Sequence, residues 1–293
     1  MTDPIYTLEV RAKGCLAEFF LNDVPLVRRG EGDGRELGAN AAFPVNQYLH
    51  AGANEVTIVV HPGPTPGTAA GLGGVRAQRI TLPEPEVQGE AGEAHSNPDP
   101  EVCARATLAR TPRGGVAGGH DTETLLKVSY EGRDDGRPEP FPRVHSGAVE
   151  LEGLPAEWPW EQAQRHVAVD DAMRQEIRAL LTTLHASLGA GDVEPFIELS
   201  RPRLEDIAGA YGASPLDKVE ELRQMAAADA AQPDFALEPL APELDLRICG
   251  EGRLVEVLTP QWRAPLREVP RAEGAGSYVM LVAKVDGSWR IVR

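Results

Sequence analysis

The sequence predicts two domains, an all-β sandwich followed by an α+β domain with a curved antiparallel sheet. Three observations carry this. Up to about residue 130, short apolar runs are separated by Gly, Pro and Asn-Asp turns, and none keeps helical spacing. From Asp170 the apolar period becomes that of an amphipathic helix, and from Leu244 it returns to two. The length of 293 residues also exceeds what one small domain needs.

In the first domain, Tyr6, Leu8 and Val10 alternate with polar neighbours as a half-buried strand does. Lys13-Gly14 is expected to turn this strand as a hairpin into Cys15–Leu21. Asn22-Asp23 supplies two residue types that tolerate positive φ, and Pro25 then suits an edge strand. Arg29–Gly38 reads as a mobile loop. Asn54–Val60 is the strongest strand, with Val56, Ile58 and Val60 on one face. His61–Gly74 reads as a loop, Arg76–Leu82 as a strand and the acidic, proline-broken Pro83–Glu101 as a solvated connection. Val102–Ala109 and Thr122–Tyr130 complete about seven strands, so residues 1–130 form the sandwich.

Residues 131–160, rich in Pro, Gly and charge, read as a connector ending in Trp158-Pro159-Trp160. Exposed indole area is costly, so both tryptophans are expected to be buried, as a latch between domains. In residues 161–293, Asp170-Asp171 opens a helix whose stripe is Ile177, Leu181, Leu184 and Leu188, and Gly189-Ala190-Gly191 ends it. Asp192 can cap a short helix through Leu199. Leu204–Tyr211 continues the helical run, and Ser214-Pro215 opens a further helix, Leu216–Ala228. Two hairpins follow, turned by Glu251-Gly252 and Asp286-Gly287, the second ending in Trp289-Arg290-Ile291.

Composition excludes several functions. Acidic residues outnumber basic ones by 45 to 29, for a formal charge of −16, which argues against nucleic acid and for a basic protein partner. No run of 18 uninterrupted apolar residues occurs, so no membrane span is expected. The opening MTDPIYTLEV lacks the pattern of a signal peptide, and Cys15, Cys103 and Cys249 lack metal-ligand spacing; both fit a cytoplasmic protein with buried, reduced thiols. The excess of Arg, Ala, Gly and Pro fits a GC-rich bacterial genome.

Phe20-Leu21-Asn22-Asp23, followed by Tyr48-Leu49-His50-Ala51-Gly52-Ala53-Asn54-Glu55-Val56, resembles the galactose-binding-like jelly roll found as the sugar-binding domain of family 2 glycosidases. The amphipathic helix ending at Gly191-Asp192 and the closing Val285–Arg293 (VDGSWRIVR) resemble the NTF2-like (SnoaL-like) cone. The first resemblance implies an accessory sandwich. The second implies a cone that serves as an enzyme, as a ligand binder or in protein–protein contacts, and that pairs as a homodimer through its sheet unless the sandwich covers that face.

No catalytic, cofactor or metal motif stands out: HExxH, CxxC, GxSxG and a P-loop are all missing. Inside the cone, His185 lies beside the helix stripe and is the candidate base, with Asp192 or Asp206 as its orienting carboxylate. Tyr211, Trp262 and Tyr278 are candidates to line the mouth. Core packing accounts for them as well. The expectation is therefore a non-enzymatic cytosolic interaction protein without cofactor, of immunity or adaptor type, with a small-molecule or enzymatic cone and a carbohydrate-binding protein as the alternatives.

Overall fold

The computed structural model describes residues 4–28, 38–61, 103–115, 118–132, 142–270 and 276–293. The chain divides into two compact units, Met1–Leu154 and Pro155–Arg293. The described residues form antiparallel sheets and three α-helices, and all three helices belong to the second unit. The loop at 62–74, the strand at 76–82, the acidic connection at 83–101 and nearly all of the loop at 29–38 lie outside the described residues.

The first unit contains β1 (Ile5–Lys13), β2 (Leu16–Leu21), β3 (Val24–Val27), β4 (Gly38–Pro44), β5 (Gly52–His61), β6 (Cys103–Thr111), β7 (Glu123–Glu131) and β8 (Arg143–Leu151). They form two four-stranded sheets, β4-β1-β6-β7 and β3-β2-β5-β8. Alternation sends Leu8 and Val10 of β1, Phe19 and Leu21 of β2, Val56, Ile58 and Val60 of β5, and Leu108 of β6 into one shared core.

Three sequence expectations change here. Lys13-Gly14 does not close a hairpin: β1 and β2 lie in different sheets, and Gly14, at φ 68°, turns the chain from one to the other. β4 was hidden because its Gly, Ala and Asn residues are poor strand formers. β8 falls inside the stretch read as a connector, yet it pairs with β5 along its whole length, Gly52 with Leu151 through Val60 with Arg143. Its central Gly147 is a packing requirement. A Cβ there would stand 3.1 Å from a Val128 methyl and 3.2 Å from a Leu126 methyl.

The Asn22-Asp23 turn behaves as expected, with φ of 51° and 60° joining β2 to the edge strand β3. Asn22 does more than turn. Its Nδ2 donates to the Tyr48 carbonyl at 2.8 Å and to Asn54 Oδ1 at 2.9 Å, and its Oδ1 accepts the Glu55 N–H at 2.9 Å. Asn54, fully buried, donates to the carbonyls of His50 and Gly52 and accepts the His50 N–H. This amide clasp satisfies backbone groups that the bends at residues 48–54 would otherwise leave without partners.

The second unit opens with a 3-10 turn at Pro159–Gln162 and continues through α1 (Asp171–Gly189), α2 (Glu194–Tyr211) and α3 (Pro215–Ala230). Its strands are β9 (Asp245–Cys249), β10 (Leu254–Leu258), β11 (Leu266–Arg267), β12 (Ser277–Tyr278), β13 (Met280–Val285) and β14 (Ser288–Ile291). The main sheet runs β14-β13-β10-β9, and β11 pairs with β12. Asp170 caps α1 by accepting the Met173 N–H at 2.7 Å, and Ser214 caps α3 by accepting the Asp217 N–H. α2 is one helix, not two. It runs through Pro202, whose interior position costs about 3 kcal/mol, because Phe196, Ile197 and Leu204 on either side are held in the core.

The α1 stripe of Ile177, Leu181, Leu184 and Leu188 is at most 1% exposed. It packs with Val255 and Val257 of β10, Met280 and Val282 of β13, and Trp289 and Ile291 of β14 in a single apolar core.

Candidate functional site

In the second unit, the residues expected to form an acid–base set are each bonded into the structure. His185, on α1, sets its Nε2 at 3.0 Å from the backbone carbonyl of Glu238. That carbonyl accepts only, so Nε2 carries the proton in this contact. Asp192 stands in the turn before α2, where its Oδ1 accepts the Glu194 N–H at 3.2 Å. Asp206, on α2, meets Arg293: Nη1 donates to its Oδ2 at 2.7 Å, with both side chains at most 4% exposed. Burial raises the Asp206 carboxyl above the ordinary value, against the nearby guanidinium that lowers it. No hydrogen bond of His185 to either carboxylate accompanies these contacts.

The aromatic candidates are dispersed. Tyr211 is the last residue of α2. Tyr278, on β12, sits edge-on to Phe196 with ring centroids 5.3 Å apart, against the apolar core. Trp262 has φ 64° and lies under the Arg247 guanidinium, 4.5 Å from its ring centroid, while Arg247 also approaches the buried Glu256 carboxylate at 3.4 Å. Trp158 and Trp160 are buried at 5% and 4% exposure, as indole area requires. Within the second unit, the Trp160 ring underlies the Arg293 guanidinium at 5.4 Å and fills the space beside Gly250.

Two polar clusters escaped the sequence reading. Glu176, one residue before the stripe residue Ile177, accepts from Lys284 Nζ and from Trp289 Nε1, each at 2.7 Å. These two donors hold its carboxyl below the ordinary value. His166 stacks on the other side of the cluster, its ring 5.4 Å from that of Trp289. Its imidazole is lowered by burial and by the Lys284 charge, and its buried Nε2 finds no hydrogen-bond partner among the described residues. In the first unit, Glu18 and His61 form a buried pair at 2.6 Å. The spacing between partners, 108 residues for Glu176 and Lys284 and 43 for Glu18 and His61, leaves no local signal for either.

The outer surface of α2 and α3 is charged. Arg223 holds Glu194 through two hydrogen bonds, at 2.7 and 3.2 Å, and Glu220 through a third at 2.7 Å. Glu198 pairs with Arg201. The Arg223 contact at Glu194, the Arg201 contact at Glu198, and at Glu220 the Gln224 amide followed by Arg223 hold the three carboxyls below their ordinary value.

The three cysteines are buried and free. Cys15 Sγ donates to the Cys103 carbonyl at 3.4 Å, and burial, with Cys103 beside it, pushes its thiol up to about 11, far from a reactive thiolate. Among the described residues, no three His, Cys, Asp or Glu side chains are grouped to hold a metal ion, and no helix is long and apolar enough to cross a membrane. Comparison of the chain with protein-family models, with curated proteins and with solved structures finds no match.

Proposed function

We propose that this chain is a non-enzymatic cytosolic binding protein that engages a basic protein partner, in the manner of an immunity-type or adaptor protein. The fold reading behind this is a galactose-binding-like jelly roll joined to an NTF2-like domain. Two four-stranded sheets over one core support the first part. Three helices followed by a four-stranded antiparallel sheet whose last strand carries Trp289 support the second. The observation that carries the functional reading is the engagement of His185, Asp192 and Asp206. One ring nitrogen is spent on a backbone carbonyl, one carboxylate on a helix N–H and one on a buried guanidinium. That arrangement supports a structural interior, with binding left to the charged exterior of a chain that carries −16.

The test is capture of partners from the native host on the immobilised full chain over a salt series. The expected result is a basic protein retained at low salt and released by about 0.5 M salt, where the Debye length falls to about 4 Å. Capture that ignores salt, or a partner that is itself acidic, overturns the reading.

A further inference from the structure

Between the 3-10 turn and α1, residues 163–166 lie as a strap across one end of the main sheet of the second unit. Backbone bonds tie the strap to both hairpins of that sheet. The Gln164 N–H donates to the Lys284 carbonyl of β13 at 3.1 Å, and the His166 N–H donates at 2.7 Å to the Gly252 carbonyl in the turn between β9 and β10. Arg253 Nη1 donates to the Ala163 carbonyl at 3.1 Å, and Arg165 pairs with Glu251 of the same turn. The approach is close: a Cβ on Gly252, at φ 89°, would stand 2.8 Å from the His166 carbonyl oxygen. The His166 ring stacks on Trp289 with an interplanar angle of 18°, and its Nε2 is buried there without a hydrogen-bond partner among the described residues. A nitrogen so placed is suited to carry a lone pair, and a proton added to it brings a charge to a site with no acceptor.

We propose that His166 makes this strap an acid-sensitive clamp, docked on the sheet end while the imidazole is neutral and released when the ring takes up a proton. The surrounding charges set the direction. From β13, the Lys284 ammonium lies 5.6 Å from the Trp289 ring centroid, so a protonated His166 puts a second cation on an indole that already carries one. From α1 and its cap, Glu176 and Asp170 favour the charged ring, but Glu176 already accepts from Lys284 and Trp289, and Asp170 accepts the Met173 N–H. From the β9–β10 turn, Glu251 is paired with Arg165, and Arg253 adds a positive charge at the strap. On β14, Arg290 follows Trp289 and so belongs to the other face of the sheet. Burial and Lys284 outweigh the two carboxylates and hold the imidazole below its free value near 6.5. The docked strap therefore binds fewer protons than the released one. Docking is full above the free value and weakens as the pH falls through the lower, docked value. Histidine is the side chain whose free value puts such a transition in mild acid. Release frees the carbonyls of Lys284 and Gly252 at the sheet end, which the docked strap occupies.

The test is native-state amide exchange of the full chain from pH 7.5 to pH 5, expressed as protection so that the intrinsic pH dependence of exchange is removed, with the His166 ring followed by NMR. The ring is expected to titrate below 6.5. Protection of the Gln164 and His166 amides is expected to fall about three- to tenfold over that range, while Val255 and Val282 within the sheet hold theirs. His166→Phe keeps a flat ring for Trp289 without a titrating nitrogen, so its strap is expected to stay docked with level protection. Lys284→Met removes the neighbouring cation but keeps the backbone carbonyl that holds Gln164. It is expected to raise the His166 midpoint and to flatten the loss of protection in acid. A ring midpoint at or above 6.5, wild-type protection that stays level, or a loss as large in His166→Phe as in the wild type overturns the proposal. If His166→Phe is already undocked at pH 7.5, Lys284→Met decides, and an acid loss as steep as that of the wild type overturns it. No partner enters the measurement, so its failure leaves the partner reading of the preceding section standing.

Discussion

Both units bury polar groups, but the Asn22–Asn54 clasp and the Asp206–Arg293 pair do so by opposite means. The clasp is neutral and spent on backbone: two amides near the ends of β2 and β5 take up the backbone groups of the bend between residues 48 and 55. The pair is charged and distant, joining α2 to a residue 87 positions away. Burying an amide that finds its hydrogen bonds costs little, whereas each buried charge must recover a desolvation penalty of several kcal/mol from its partner. At Asp206 burial raises the carboxyl against the lowering effect of the guanidinium beside it. The clasp is therefore a device for fixing a bend. The pair is a point of vulnerability.

The largest effect that could break this comparison is the loss of one charge. Arg293→Met is expected to destabilise the second unit by about 3–5 kcal/mol, because Asp206 is left buried without its counter-ion. Asp206→Leu combined with Arg293→Met is expected to recover most of that loss. All four tryptophans, Trp158, Trp160, Trp262 and Trp289, belong to the second unit, so tryptophan fluorescence during urea unfolding reads that unit alone. A single-variant cost below about 1 kcal/mol would show that the pair is solvated and end the contrast.

Next in size is the clasp. Asn54→Ala removes partners from the His50 N–H, the His50 and Gly52 carbonyls and the Asn22 amide at once. Water entering the bend restores some of these bonds, so the expected cost is about 2–3 kcal/mol. It should appear in the far-ultraviolet circular dichroism of the sheets and leave the tryptophan transition in place. A shift of the tryptophan transition instead would mean that the clasp does not act locally.

Sequence reading reached these two regions unequally. Asn22-Asp23 and Gly52-Ala53-Asn54 were legible as turn and strand-start chemistry, because positive φ and short amide side chains leave a local signature. The bond between Asn22 and Asn54 depends on the pairing of Leu21 with Val56, and register is not written locally. The α1 stripe was legible in full, since its spacing and its burial have the same cause. Asp206 was named as an interior carboxylate, but its partner Arg293 and the Glu176 cluster were not legible, because a charged residue in a helix or at a strand end has the same local pattern whether it faces water or a partner from afar. The Lys13-Gly14 corner failed for a related reason: a turn within one sheet and a turn between two use the same residues. His185 was placed correctly beside the stripe, but its partner is a backbone carbonyl, which no side-chain pattern announces.

The smallest expected effect separates the buried pair from the neutral clasp by pH, with the exposed carboxylate Glu176 as the reference of opposite sign. Glu176 has a lowered carboxyl, so its contribution is present above its unfolded value near 4.5 and is lost as the pH falls through its folded value. Asp206 has a raised carboxyl, so its contribution is full below 3.8 and is lost as the pH rises through its folded value. Asn54 carries no titrating group. Three variants measured against the wild type from pH 7 to pH 3 should therefore drift in three ways. The deficit of Glu176→Gln, under about 1 kcal/mol at pH 7 because the Lys284 contact is half solvated, should shrink toward zero in acid. The deficit of Asp206→Asn should widen, because only the wild type takes up the extra proton when folded. The deficit of Asn54→Ala should stay level. Deficits for Glu176→Gln and Asp206→Asn that drift in the same direction would mean that burial does not dominate at Asp206, and the distinction between a fixed bend and a strained charge would fall with it.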